Sequence, residues 1–224
     1  MTRAGEALRG LIFPRKCVFC HRLLETDEPR LCRSCVAALP EPISGARRGS
    51  HYQRWVSAVW YVDTVRNSVV RYKFGGCSFY SNYYGPLLAK AIQIRLGTNY
   101  DLLTYIPTHA LRRRRRGYDQ TQLLAEQVAA RLGMELRSTM KKRRRKPQSR
   151  TLNVAERREN VRNAFLIRDP ASVQGKRILL IDDVLTTGAT VSEAARVLLA
   201  AGAKSVDVAS FAVTPMGSGG LNPR

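Results

Sequence analysis

One run of thirteen residues, 178–190, constrains the fold of this 224-residue chain more than any other segment. It opens with four apolar residues, as in a strand that is buried on both faces of a parallel sheet. Asp182 and Asp183 follow, and the carboxyl ends of such strands are where open α/β sheets bind ligands. A short turn then leads into a helix. The segment predicts an α/β protein with an acidic ligand site at one edge of its sheet.

The turn after the two acids contains the parts of a phosphate cradle. Thr186, Thr187 and Thr190 offer hydroxyl groups, while Gly188 and Ala189 offer backbone N–H groups at the positive end of a helix. Carboxylates accept hydrogen bonds from ribose hydroxyls, so the two acids suit a sugar phosphate. The segment matches neither GxxxxGK[ST] nor GxGxxG. The alternative is a plain strand, turn and helix with acids before the helix.

Strands and helices alternate through most of the chain, which is typical of a parallel α/β sheet. The hydrophobic pattern predicts strands at 56–62, 100–107, 134–137, 178–182 and 206–213. It predicts helices at 63–74, 85–96 and 191–201, and one opened by Asp119 and stopped by Gly133. A linker is indicated by Pro40 and Pro42, followed by the stretch from Gly45 to Ser50. We therefore expect a small module at 1–45, an α/β domain at 50–215 and a flexible tail at 216–224.

Four of the five cysteines form two CxxC pairs that are separated by eleven residues. Each two-residue gap lets two thiolates reach one ion, and two such turns supply the four soft ligands of a tetrahedral zinc site. Four thiolates close the coordination shell, so the zinc is expected to be structural. Reduced, unligated pairs or a redox CxxC are the alternatives, but the redox motif needs a βαβ context that is absent here. The ligands are Cys17, Cys20, Cys32 and Cys35.

Positive charge is the most unusual feature of the composition, because 38 Lys and Arg against 17 Asp and Glu give a net charge of +21. This excess favours a polyanionic partner: nucleic acid, an anionic membrane or a phosphorylated ligand. Two basic runs, expected at the mouth of the acidic site, contribute Arg112, Arg113, Arg114, Arg115, Arg116, Lys141, Lys142, Arg143, Arg144, Arg145 and Lys146. A few could neutralise a pyrophosphate, and together they could follow a nucleic-acid backbone or form a solvated surface.

Aromatic residues near the basic runs offer stacking surfaces for unpaired bases, although each taken singly is better explained by packing. They are Tyr72, Phe74, Tyr80, Tyr83, Tyr84 and Tyr118. The sequence has no helix-turn-helix, zinc-finger or RRM signature, so any DNA binding should be electrostatic, non-specific and directed to single strands. With no membrane-helix, secretory or lipidation pattern, we expect a soluble, cytoplasmic protein.

Residues 178–190 resemble the 5-phosphoribosyl-1-pyrophosphate (PRPP) motif of type I phosphoribosyltransferases. The resemblance implies a type I phosphoribosyltransferase-like parallel sheet flanked by helices. It assigns Asp182 and Asp183 to the ribose hydroxyls as catalytic residues, and residues 186–190 to the 5′-phosphate. It also implies Mg²⁺ on the pyrophosphate, which would be displaced at C1′ through an oxocarbenium-like state.

Further blocks are similar to the ComF/GntX family: residues 106–109, 116–120 and 123–125, together with Pro147, Gln148, Leu152, Arg157, Asn160, Val161, Ala164 and Phe165. With the CxxC pairs, this likeness covers nearly the whole chain. It implies a pyrophosphate loop after the strand that ends at Pro107, with Pro107, Thr108 and His109 as candidates, and a hood loop around 140–160. Two positions differ: Asp119 replaces the usual Asn, and Arg145 replaces a frequent Thr.

Family resemblance implies a role in natural competence, in which the protein handles the single strand that enters during DNA uptake. Two functions stay open. The first is a competence protein that binds single-stranded DNA and carries a PRPP site, with other DNA-uptake or recombination-mediator proteins as further partners. The second is a PRPP-dependent transferase of unknown acceptor with no direct DNA role.

Overall fold

A computed structural model describes residues 14–25, 28–45, 50–143 and 163–215 of the chain. Its strands are β1 (Ile43–Ser44), β2 (Trp55–Trp60), β3 (Leu102–Tyr105), β4 (Met140–Lys142), β5 (Phe165–Ile167), β6 (Arg177–Leu185) and β7 (Ser205–Val213). Its helices are α1 (Arg33–Ala37), α2 (Asp63–Phe74), α3 (Ser81–Arg95), α4 (Ala110–Arg116), α5 (Gln120–Leu132) and α6 (Ala189–Ala200). Within these ranges, no helix combines the length and apolar character needed to cross a bilayer.

Five strands form the central sheet in the order β1-β2-β7-β6-β3. Strands β2, β7, β6 and β3 run parallel, and only the short edge strand β1 is antiparallel. Strands β4 and β5 pair separately as an antiparallel ribbon. The predicted class, a mostly parallel α/β sheet flanked by helices, is confirmed.

Strand β6 is apolar at every position from 178 to 181 because both faces of the sheet are covered. Leu179 and Ile181 belong to a core shared with helices α2, α3 and α5, and Ile178 and Leu180 belong to a core shared with α6. Alternate side chains of a strand point to opposite faces, so a strand between two helical layers needs an unbroken apolar run.

Several elements begin and end where the sequence predicts. Helix α2 has the predicted bounds, and α5 is capped by Asp119 and ends at Gly133 in a left-handed conformation (φ +64°). Helix α3 starts four residues early, at Ser81, because a 3₁₀ turn runs directly into it. Gly85 lets α3 approach α5 closely, since a Cβ at this position would overlap the Cβ of Gln127.

Other elements differ from the prediction. The strand predicted at 134–137 is reduced to a single bridge between Leu136 and Leu103. Helix α4 was not predicted: the five-arginine run is helical, since arginine is a good helix former and His109 caps the first turn. The β4–β5 ribbon was also missed. Residues 144–162, with most of the predicted hood loop, and the predicted tail at 216–224 lie outside the described residues.

The cysteine-bearing segment packs directly onto the α/β core. Phe19 is buried against the rings of Tyr84 and Phe211, with ring centroids 6.2 Å apart in both pairs. Arg71 of α2 donates hydrogen bonds to the carbonyls of Val18 (3.0 Å) and Phe19 (2.7 Å). The loop that carries the first CxxC pair is therefore anchored to helix α2 by hydrogen bonds from an arginine side chain, and to α3 and β7 by apolar contact.

Candidate functional site

Two neighbouring carboxylates lie near the carboxyl end of β6. Asp182 and Asp183 are 9% and 7% exposed, and the backbone N–H of Asp183 donates to Asp182 Oδ1 at 2.8 Å. The strand continues to Leu185, three residues beyond the predicted end at Asp182, so both acids lie within it. Their side chains are consequently fixed by the sheet.

Asp183 is held by two donors from different helices. Lys73 Nζ, in the last turn of α2, lies 2.8 Å from Asp183 Oδ1. Gln120 Nε2, at the start of α5, donates to Asp183 Oδ2 at 2.8 Å. Sequence reasoning assigned no role to either donor. The block at 116–120 that resembles the ComF/GntX family contains Gln120, but no local signal connects Lys73 with an acid 110 residues away.

Burial sets the protonation of Asp182. It raises the pKa of Asp182 to about 7, with the charge of Asp183 as the next contribution, while Lys73 acts in the opposite direction. Burial alone would lower the pKa of Lys73, but the ion pair with Asp183 outweighs it and raises that pKa. Near neutral pH the site thus holds an ion pair beside a carboxyl that is partly protonated.

A cavity of about 400 Å³ joins the acids to other predicted site residues. The residues that follow β3, the acids of β6, the start of α6, helix α4 and strand β4 all contribute to its wall. The predicted site residues that line it are Pro107, Thr108, His109, Arg112, Arg116, Lys142, Asp182, Asp183 and Thr190. Segments that lie far apart in the sequence therefore meet around one space.

The predicted phosphate turn connects β6 to α6 beside this cavity. Gly188 has φ +79° and precedes the first residue of α6, so the turn requires the left-handed conformation that glycine adopts easily. Thr187 Oγ1 accepts a hydrogen bond from the N–H of Ala189 at 3.4 Å. Thr186 and Thr187 are exposed, and Thr190 lines the cavity.

Asp119 ties the loop after β3 to helix α5. Its carboxylate accepts hydrogen bonds from the N–H (2.8 Å) and the Oγ1 (3.0 Å) of Thr108. It also accepts from the N–H groups of Thr121 (3.1 Å) and Gln122 (3.3 Å) at the start of α5. Both carboxylate oxygens are used as acceptors, which explains why aspartate suits this position where asparagine is usual. His109 caps α4, since its Nδ1 accepts from the N–H of Leu111 at 3.3 Å.

The basic runs are divided among several surfaces. Arg112 and Arg116 line the cavity from α4, and Arg116 lies over the ring of Phe74 at 5.2 Å. Lys142 lines the cavity from β4, and burial lowers its pKa. The other arginines of α4 and the pair Lys141 and Arg143 are exposed. Arg144, Arg145 and Lys146 lie outside the described residues.

Most of the aromatic residues near the basic runs serve in packing. Tyr72, Tyr80 and Tyr84 are 3% exposed or less and belong to the core, so their rings are not open to a base. Tyr83 and Tyr118 are half-buried, while Phe74 is 75% exposed. The preference for packing is confirmed for the three buried tyrosines.

The four predicted zinc ligands converge. The sulfur atoms of Cys17, Cys20, Cys32 and Cys35 all lie within 4.8 Å of one another, and those of Cys20 and Cys32 are 3.7 Å apart. A tetrahedral site with Zn–S bonds of about 2.3 Å requires sulfurs roughly 3.8 Å apart. Although burial opposes it, hydrogen bonds from Cys35 N–H and Arg22 lower the pKa of Cys32 to about 6. The cluster can therefore hold a metal ion.

Comparison with known proteins agrees with this architecture. Residues 122–219 match the family model described as the phosphoribosyl transferase domain. A solved structure of glutamine PRPP amidotransferase from B. subtilis is 22% identical, with a TM-score of 0.42 over 59% of this chain and 26% of that chain. The sheet, the acids and the following turn define a protein with a phosphoribosyltransferase-type domain.

Two curated relatives match over most of their length. The DNA utilization protein YhgH of Escherichia coli (strain K12) is 30% identical over 203 residues, which are 86% of this chain and 87% of that protein. Competence protein F of Haemophilus influenzae is 24% identical over 219 residues, which are 88% of this chain and 96% of that protein. The chain belongs to the ComF/GntX family, the family of these DNA utilization and competence proteins.

The raised pKa of Asp182 predicts a pH-dependent stability. Its ordinary pKa of 3.8 applies to the unfolded chain, and the folded value is about 7. The contribution of Asp182 to the free energy of unfolding is therefore greatest below about pH 4, where the carboxyl is protonated in both states, and it falls as the pH rises towards 7. Asp182→Asn keeps an oxygen acceptor without the charge, so its melting temperature should exceed that of the wild type by a margin that grows from pH 5 to 7 and then levels off.

Thermal unfolding of both proteins at pH 5, 6, 7 and 8 measures this margin. Asp169→Asn is the matched control, because Asp169 is exposed and caps only a short 3₁₀ turn. A difference in melting temperature between Asp182→Asn and the wild type that stays constant with pH would contradict the raised pKa of Asp182.

Proposed function

We propose that the cavity beside the acid pair binds PRPP. The observation that carries the proposal is the convergence of two buried carboxylates, Thr190 at the start of α6 and the cations Arg112, Arg116 and Lys142 on one cavity of about 400 Å³. The glycine-containing turn lies directly before this helix start. Carboxylates suit the hydroxyls of a ribose, while the turn and the cations suit its phosphate groups. The acids, the turn and the cations thus offer the chemistry that the ribose hydroxyls, the 5′-phosphate and the pyrophosphate of PRPP require.

In this proposal, Asp182 and Asp183 accept hydrogen bonds from the 2′- and 3′-hydroxyls of the ribose. Residues 186–190 donate to the 5′-phosphate, and Arg112, Arg116 and Lys142 neutralise the pyrophosphate. Mg²⁺ bound with the ligand would supply further neutralisation of the pyrophosphate. Lys73 and Gln120 hold Asp183 in place, so the acid needs little rearrangement when the ribose arrives.

Pyrophosphate displacement at C1′ is the reaction that such a site can support. The arrangement favours it through fixed charges around an oxocarbenium-like state, since none of the proposed contacts requires a covalent intermediate. The acceptor that would attack C1′ has no identified binding group in the cavity. A PRPP-dependent transferase without a DNA role is therefore the second candidate function, favoured by the intact acid pair.

We further propose that the protein binds single-stranded DNA in a competence or DNA-utilization role. Support comes from the names of its relatives, DNA utilization protein and competence protein F, and from the exposed arginines of α4 next to the cavity. Guanidinium groups on a helix surface bind phosphates of a nucleic-acid backbone without reading its sequence. Other DNA-uptake or recombination proteins are the further partners that such a role would involve.

PRPP binding is tested by calorimetry with Mg²⁺ on the wild type and on the double variant Asp182→Asn, Asp183→Asn. Loss of two charged acceptors, at about 1.5–3 kcal/mol each, should weaken PRPP binding by about 100-fold or more. Asp169→Asn, which removes an exposed acid outside the cavity, should leave the affinity within twofold of the wild type. Equal PRPP affinity for the wild type and the double variant would rule out this site.

DNA binding is tested by fluorescence anisotropy of a labelled oligothymidylate across a series of salt concentrations. Replacing four exposed arginines outside the PRPP cavity, Arg113, Arg114, Arg115 and Arg143, by Gln should weaken binding and reduce the slope of log affinity against log salt by about 0.7 for each lost phosphate contact. The matched control removes four exposed charges elsewhere: Lys90, Arg131, Lys176 and Lys204. An equal loss in both variants would mean that only net charge matters, and no binding at low salt would exclude the DNA role.

We propose that the four-cysteine cluster holds one structural zinc ion. Freshly purified protein should contain about one equivalent of zinc, and a chelator should lower the melting temperature. Cys32→Ser should lose the metal, whereas Cys77→Ser, which changes the cysteine outside the cluster, should retain it. Less than about half an equivalent of zinc in the purified protein would contradict this assignment. Disulfide bonds among the four cysteines would contradict it as well.

A further inference from the structure

Helical periodicity divides the arginines of α4 between two surfaces. Arg112 and Arg116 are one turn apart and line the cavity that contains the acid pair. Arg113 and Arg114 line a different depression, of about 680 Å³, which we call the arginine groove. The groove runs between α4 and the start of α5, and its wall includes Arg113, Arg114, Tyr118, Gln122 and Leu123. Asp119 also lines it, but this carboxylate is buried and accepts hydrogen bonds from Thr108 and from the first turn of α5.

The two arginines of the groove are available for an anionic ligand. Both side chains are exposed, and neither takes part in an ion pair within the described ranges. Arg116 differs, because it contacts the ring of Phe74 and donates to Gln120 Oε1. Two guanidinium groups that line one groove without forming an ion pair supply the positive charge and the hydrogen-bond donors that a phosphate requires.

Tyr118 gives the same groove a fixed aromatic surface. Its hydroxyl donates to the backbone carbonyl of Tyr72, and its ring lies against the Tyr72 ring with centroids 6.1 Å apart. The ring is only half-buried, so one part of it faces the groove. A ring that is already held at its hydroxyl loses little conformational freedom when a base stacks on it.

We propose that the arginine groove binds a nucleotide unit of single-stranded DNA, with its phosphate on Arg113 and Arg114 and its base against Tyr118. This inference rests on the proposed DNA function and makes it more specific. The groove volume falls within the range of about 300–1,000 Å³ that is usual for small-ligand sites, which suits one nucleotide of a longer strand. Guanidinium groups beside an aromatic ring are the combination that single-strand binding surfaces use.

The proposal places the two ligands on opposite sides of the short helix α4. PRPP would occupy the cavity side, with Arg112 and Arg116, and the DNA strand would occupy the groove side. The two ligands should then bind at the same time, without competing for the same arginines. A single shared anion surface around α4 would instead make them competitors.

Two double variants distinguish these arrangements: Arg113→Gln with Arg114→Gln, and Arg112→Gln with Arg116→Gln. Anisotropy with an oligothymidylate should give the groove variant a loss of about tenfold in affinity and a salt slope that is smaller by about 1.4. The cavity variant should keep a DNA affinity within about threefold of the wild type and lose PRPP affinity by calorimetry. The charge-matched control is Lys176→Gln with Lys204→Gln. These two exposed residues directly precede β6 and β7, at the ends of the strands that lie away from the acid pair.

An equal effect of both arginine variants on the salt slope would overturn the division of the helix. Competition between saturating PRPP and the oligonucleotide would overturn it as well. A wild-type protein that binds PRPP but no oligonucleotide would refute the DNA function and the groove with it, and leave the PRPP site standing.

The stacking step has its own test. Tyr118→Phe keeps the ring and should retain the DNA affinity, whereas Tyr118→Leu removes the ring and should lose about tenfold. An oligonucleotide whose bases are replaced by abasic residues should bind the wild type about tenfold more weakly, without any change to the protein. Equal affinity of the wild type for the abasic and the normal strand would refute stacking, even if Tyr118→Leu does not fold.

Discussion

The last turn of helix α2 holds the candidate site and the cysteine module in one framework. Three consecutive residues reach three different parts of the molecule. Arg71 donates to the backbone carbonyls of the first CxxC loop, and Tyr72 donates through its hydroxyl to the carbonyl of Gln120 at 2.6 Å. Lys73 forms the ion pair with Asp183. Because one rigid helical turn carries all three contacts, a shift of the cysteine loop would also move Lys73, the ion-pair partner of Asp183.

Helix α5 gives the same site a second support. Asp119 fixes the loop after β3 and caps α5, while the next residue, Gln120, holds the other oxygen of Asp183. Two helices from different parts of the chain therefore meet on one carboxylate. A buried charge of this kind is stable only with such partners, which explains why the site depends on long-range packing as much as on its own motif.

Local sequence patterns predict the parts of this protein well where one segment determines its own structure. Strand β6, its acids and the glycine turn follow from a continuous apolar run and a short stretch of turn residues, and the four cysteines follow from their spacing. The role of Lys73 does not follow, because only the packing of α2 against the sheet brings it to Asp183. Helix α4 was missed for a related reason: a run of arginines lacks the apolar periodicity that normally reveals a helix.

Charge is distributed unevenly around the cavity, and this gives a ligand a preferred direction. Lys73 neutralises Asp183 at one end, and burial keeps Asp182 partly protonated, so the acidic end carries little net charge. Arg112 and Arg116 line the same cavity with no carboxylate partner within the described ranges. In the proposed complex, the pyrophosphate of PRPP is therefore more stable beside these arginines than beside the acids, which suit the uncharged hydroxyls of the ribose. Under this proposal, the charges around the cavity orient the ligand before any individual hydrogen bond forms.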